Sequence, residues 1–76
     1  MKEAMKEKII ELIEEVLMTG KGSITEYTTM DEVKEWDSLA HVLLIGELEA
    51  RLGIVIPLDE AIEITSVKDI LNKAGV

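Results

Sequence analysis

The chain has 76 residues, 8 Lys and Arg against 16 Asp and Glu for a formal net charge of -8, 47% hydrophobic residues and no cysteine. A chain this short forms one domain, residues 1–76, stabilised by apolar packing, and it has no disulfide, thiolate zinc site or cysteine nucleophile. Its cations are scattered from Lys2 to Lys73 and its longest apolar runs, residues 42–45 and 54–58, fall far short of the roughly 20 residues of a spanning helix, which argues against nucleic acid and membrane insertion.

The opening Met1-Lys2-Glu3-Ala4 does not lead into the apolar stretch of a secretory signal, so a cytoplasmic, monomeric chain is expected. Over residues 2–18, Met5, Ile9, Leu12, Ile13 and Val16 recur at spacings of three and four, Ile10 and Leu17 widen the stripe, and Lys and Glu fill the other side. That pattern predicts an amphipathic helix of some four turns. Gly20 and Gly22 are expected to end it and to open a long connection over residues 19–37. The β-prone stretch 24–29 has no ladder partner, so an ordered loop is predicted, pinned by Ile24, Tyr27, Met30 and Val33.

A second helix is predicted from Ser38 or Leu39 through Leu52, with Leu39, Val42, Ile45, Leu48 and Leu52 on its buried stripe and Gly53 just past its end. Pro57 breaks the β-branched run before it and precedes a short helix over residues 59–63. A last helix follows Thr65 and Ser66. Ser66 with Asp69 reads as a capping box, Val67, Ile70 and Leu71 face inward, and Gly75 closes the helix. The expected fold is all-α: a small four-helix bundle with three longer helices, one short helix and a long loop between the first two.

The acidic pairs Glu14-Glu15, Asp31-Glu32 and Asp59-Glu60 lack calcium-loop spacing and read as solvated charge. The informative stretch is Glu35-Trp36-Asp37-Ser38-Leu39-Ala40-His41. Ser38 and His41 share a helix face behind Asp37, which raises a hydrolytic triad. A triad also needs an oriented acid, an oxyanion hole and a pocket, which so small a bundle rarely has. Ser38 also reads as a helix N-cap, His41 as a solvent-facing residue and Trp36 as an apolar anchor for the end of the loop. A third reading explains more of the pattern. A serine at a helix N-terminus after a long loop presents its hydroxyl to the positive end of the helix dipole, where an attached phosphate is favoured.

At Asp37-Ser38-Leu39 the chain resembles the acyl carrier proteins and related peptidyl carrier domains, whose signature is Asp-Ser-Leu at the start of their second helix. The resemblance extends through Val42, Leu48-Glu49, the Ile56-Pro57 turn and Ile64-Thr65-Ser66-Val67, with matching helix spacing over nearly the whole chain. It implies the acyl-carrier type of bundle and a carrier rather than an enzyme. Ser38 would bear a covalent 4'-phosphopantetheine transferred from coenzyme A by a phosphopantetheinyl transferase, and the arm would hold an acyl or aminoacyl group as a thioester. By the same resemblance Asp37 takes part in recognition by the transferase and its Mg²⁺, and Leu39 packs inward to fix the serine.

Partners implied are that transferase, a loading ligase and downstream acyl-transfer enzymes. The expected docking surface is the face around Ser38 and helix two, with Trp36, His41, Leu43, Glu47 and Glu49 as candidates, and the net charge suggests an electrostatic contribution. Two departures bear on partner choice. Glu35 stands where fatty-acid carriers usually have glycine, and Leu43, Leu44 and Ala50 occupy a helix two whose only charges are Glu47, Glu49 and Arg51. The Trp-Asp-Ser-Leu-x-His string is closer to freestanding carriers that accompany adenylating ligases. The alternative from another class is a non-carrier interaction module with the same fold.

Overall fold

A computed structural model describes residues 2–76; Met1, read as the start residue, lies outside them. The elements are α1 (Lys2–Leu17), a 3₁₀ turn (Met30–Glu32), α2 (Ser38–Leu52), α3 (Leu58–Ala61) and α4 (Val67–Ala74). The fold is an all-α four-helix arrangement, and no strand forms among the described residues. α1 packs against both α2 and α4. The core joins Ile9, Leu12, Ile13 and Leu17 of α1 to Ile24, Trp36, Leu44, Leu48, Ile56, Ala61 and Ile64, and to Val67, Ile70 and Leu71 of α4.

The periodic stripe of α1 is buried as its spacing predicts, but the helix ends earlier than its glycines suggest. Met18 adopts the left-handed conformation, φ 58°, and takes the place usually held by glycine. Thr19 N–H donates to Glu14 O at 3.1 Å and Met18 N–H to Glu15 O at 3.2 Å, which closes the helix two residues before Gly20.

Glu14 overturns the reading of the Glu14-Glu15 pair as solvated charge. It is 6% exposed, and Oε2 accepts the N–H of Gly22 at 2.8 Å and of Ile24 at 3.1 Å. Burial of a carboxylate is tolerated when backbone donors replace its water, and here those donors belong to a loop that would otherwise lack fixed partners.

The long loop is ordered, by a different set of contacts from the one expected. Ile24 is buried and Met30 and Val33 lean on the core, but Tyr27 is 73% exposed and pins nothing. The loop's second half is stitched to the start of α4 instead. Met30 N–H donates to Thr65 O at 2.7 Å, Val67 N–H to Thr28 O at 2.9 Å, and Thr29 and Ser66 form an isolated antiparallel bridge.

The α4 cap is as predicted, with one shift. Ser66 Oγ accepts from Asp69 N at 3.1 Å, while the Asp69 carboxylate reaches back to Thr65, taking its N–H at 3.0 Å and its hydroxyl at 3.2 Å. The Thr65 backbone donor, aided by the Ser66 and Thr65 hydroxyls, holds the Asp69 carboxyl below the ordinary aspartate range against a desolvation that acts the other way. Gly75, φ 81°, closes the helix. α3 begins at Leu58 directly after Pro57 and spans a single turn.

α2 is rotated from its expected register. The buried row is His41, Leu44 and Leu48, with Ile45 and Leu52 at its flank, whereas Leu39, Val42 and Leu43 face solvent. The apolar stripe drawn through Leu39 and Val42 follows a row displaced toward solvent, because the inner row begins with a histidine that hydropathy assigns to the surface.

Candidate functional site

The turn that opens α2 is held by Asp37, the N-cap residue. Asp37 Oδ1 accepts the N–H of Ala40 at 2.8 Å and Asp37 O accepts that of His41 at 2.9 Å. The expectation that Ser38 is the cap is therefore corrected. A cap residue needs an extended backbone and a side-chain acceptor aimed at the second or third helical N–H, and Asp37, with φ -96° and ψ -175°, has both. Ser38 is then the first helical residue, exposed, with its hydroxyl free of capping duty. Within α2 itself the first turn carries no acidic residue, and the carboxylate at its N-terminus is the Asp37 cap.

Trp36 and His41 flank this turn from beneath. Trp36 is 2% and His41 9% exposed, so neither is available to a partner, and both leave the docking set. The indole Nε1–H donates to His41 Nδ1 at 2.9 Å, and His41 Nε2 lies 2.8 Å from Ala61 O. The sequence identifies Trp36 as an anchor and misses the polar half of the pair. With both ring nitrogens engaged, His41 has none left to serve as a base for Ser38, which removes the hydrolytic triad.

Leu39 does not pack inward. It is 71% exposed and belongs to the outer rows of α2 with Val42, Leu43, Gly46, Glu49 and Ala50. At 100° per residue these six positions cover the side of the helix opposite His41, Leu44 and Leu48. Leu58 and Ile62, at either end of α3, are 71% and 74% exposed, and the His41–Ala61 contact fixes α3 beside α2. Ser38 therefore borders a surface that is mostly apolar and carries one carboxylate on its outer rows, Glu49.

Glu47 lies elsewhere. Its carboxylate takes Arg51 Nε at 2.6 Å, and Arg51 also pairs with Glu15 of α1, so Glu47 belongs to the α1 side of the helix. Among the described residues no group of acids or histidines is arranged to hold a metal ion, and no helix is long and apolar enough to cross a membrane.

The family model described as the phosphopantetheine attachment site matches residues 7–73. The acyl carrier proteins of Rickettsia canadensis, Rickettsia typhi and Rickettsia prowazekii are each 37% identical to this chain over 68 residues, which is 90% of this chain and 79% of each relative.

Proposed function

The chain belongs to the acyl carrier proteins, and on that premise we propose that Ser38 is the residue that bears its 4'-phosphopantetheine and that the outer face of α2 meets the enzymes that use it. The protein is a carrier of acyl groups. When attached, the arm supplies a terminal thiol that holds the cargo as a thioester, the nucleophile that a chain without cysteine lacks.

The observation that carries the assignment is Ser38 itself: exposed, first in α2, and relieved of capping by Asp37. In the modification its oxygen forms a bond to the phosphorus next to pantetheine as the phosphoanhydride of coenzyme A breaks. The adenosine bisphosphate leaves and the hydroxyl proton passes to the transferase or to water. The backbone N–H groups at the start of α2 that the Asp37 cap does not take, those of Ser38 and Leu39, favour the phosphate charge at this position. Asp37 caps through Oδ1, which leaves Oδ2 for Mg²⁺ or a donor of the transferase.

Leu39, exposed, serves as a contact rather than as a prop for the serine. The docking set is then Leu39, Leu43 and Glu49, joined by Val42 and Ile62, which sequence periodicity assigned to the core or left unremarked. The protein performs no catalysis of its own. Its partners are a phosphopantetheinyl transferase, a loading ligase and downstream acyl-transfer enzymes, which it meets as a monomer in the cytoplasm, where coenzyme A is available.

Incubation with coenzyme A, Mg²⁺ and a broad-specificity transferase should add one phosphopantetheinyl unit, read by intact mass, and Ser38→Ala should add none. A wild-type mass left unchanged under those conditions contradicts the assignment.

A further inference from the structure

We propose that His41 is a positioning residue for the reaction at Ser38, locking the turn that bears the serine through paired hydrogen bonds to Trp36 and Ala61. The inference rests on Ser38 being the attachment site and adds to it a residue that touches no substrate.

The chain has one tryptophan and one histidine, and they bond to each other. An indole N–H only donates, so His41 Nδ1 is the unprotonated nitrogen and Nε2 carries the ring proton, which it donates to Ala61 O. The imidazole is thus held in one tautomer and one orientation, with its ring centroid 6.0 Å from that of the indole.

Residues 36 and 41 bracket Asp37-Ser38-Leu39-Ala40. The side-chain bond between them closes the same turn that Asp37 closes by accepting the N–H of Ala40 at its carboxylate and that of His41 at its backbone carbonyl. The other nitrogen ties the turn to the end of α3, next to the exposed Ile62. Three parts of the chain therefore converge on one ring: the end of the long loop, the first turn of α2 and α3.

A leucine would fill this volume but leave the buried indole N–H of Trp36 without an acceptor, and the imidazole in turn is tolerated only when both of its nitrogens are satisfied. Both are satisfied, and no buried side-chain nitrogen or oxygen among the described residues lacks a partner. What histidine adds over leucine is direction rather than packing. Group transfer to Ser38 needs the hydroxyl held close to the reactive phosphorus, and a misplacement of about 1 Å costs up to about a hundredfold in rate.

The test is steady-state modification by a transferase with coenzyme A and Mg²⁺, varying the carrier, for wild type, His41→Leu, Trp36→Phe and His41→Gln, each checked for helicity by circular dichroism. His41→Leu and Trp36→Phe should lower kcat at saturating carrier about tenfold, and His41→Gln, which keeps one donor and one acceptor, should recover most of it. A role confined to stability would instead reduce the competent fraction of carrier, raising KM and leaving kcat. A kcat for His41→Leu within about twofold of wild type overturns the proposal while leaving Ser38 modified; a wild-type protein that takes no unit overturns the attachment reading and this one with it. If the variants do not fold, the single indole N–H resonance of the wild type decides: slow solvent exchange supports the lock, and exchange at the rate of a free indole overturns it.

Discussion

Glu14 Oε2, in the fourth turn of α1, accepts the backbone N–H of Ile24 ten residues away at 3.1 Å. One buried carboxylate thereby sets the path of the first half of the loop that leads to Ser38. Glu14→Ala should lower stability by about 1.5–3 kcal/mol, since the buried N–H of Ile24 is left without an acceptor while that of Gly22 reaches water. Glu14→Gln, which retains an acceptor, should lose about half as much. Urea denaturation measures the cost and amide exchange at Ile24 locates it; an unchanged midpoint for the alanine variant contradicts the role.

Two substitutions should stabilise the fold. Met18 holds a left-handed conformation and is 86% exposed, so Met18→Gly removes backbone strain without losing a core contact, a gain of about 0.5–1 kcal/mol after the entropy of glycine is set against it. Gly46 is interior to α2, and a Cβ there would meet nothing within 4 Å, so Gly46→Ala should add a similar amount. Each corresponds to a rise in melting temperature of about 2–8 °C for a domain of this size.

Asp69 links stability to acid. Its carboxyl titrates below the ordinary aspartate value, so the folded state binds fewer protons than the unfolded one in that range. Its contribution is fully present above the ordinary value of about 3.9 and is lost as pH falls through the lowered one. Asp69→Asn should therefore be less stable than wild type by a constant margin above about pH 5, a margin that shrinks as the solution is acidified. Thermal melts of both proteins across the acid range measure it, and a gap that widens toward low pH contradicts the assignment.

The outer rows of α2 predict docking through apolar contact. Leu43 is 56% exposed, so Leu43→Asp should leave the melting temperature nearly unchanged while raising the KM for modification about tenfold. Because the outer rows hold one carboxylate, raising salt from about 50 to 500 mM should change that KM by no more than about threefold. A steep salt dependence with an inert Leu43→Asp would show that the net charge of -8, rather than this face, drives association.

The helices, their order and most of their ends are legible in the sequence because the apolar spacing of α1 and α4 coincides with their buried rows. The opening of α2 is legible to within one residue, with its cap moved from Ser38 to Asp37. The register of α2 is not, since Leu39, Val42 and Leu43 are exposed where a bundle surface is usually polar, while His41 is buried where it is usually apolar. Periodicity weighs residues by hydropathy alone and cannot see that an imidazole flanked by an indole donor and a backbone carbonyl is satisfied inside. Glu14 escapes for the same reason: its partners are backbone groups of a loop, and no side-chain pattern announces them. Tyr27 illustrates the opposite error, a large side chain given a core position that the turn around it directs outward.

The bridge between Thr29 and Ser66 has a consequence for the order of events during synthesis. The second half of the loop is tied to the rest of the fold by residues 65–67, so it has only its own local turns to hold it until nearly thirty residues beyond Ser38 have been made. The serine thus emerges well before the framework that presents it, and any enzyme that requires the ordered turn will select chains whose last helix is already in place.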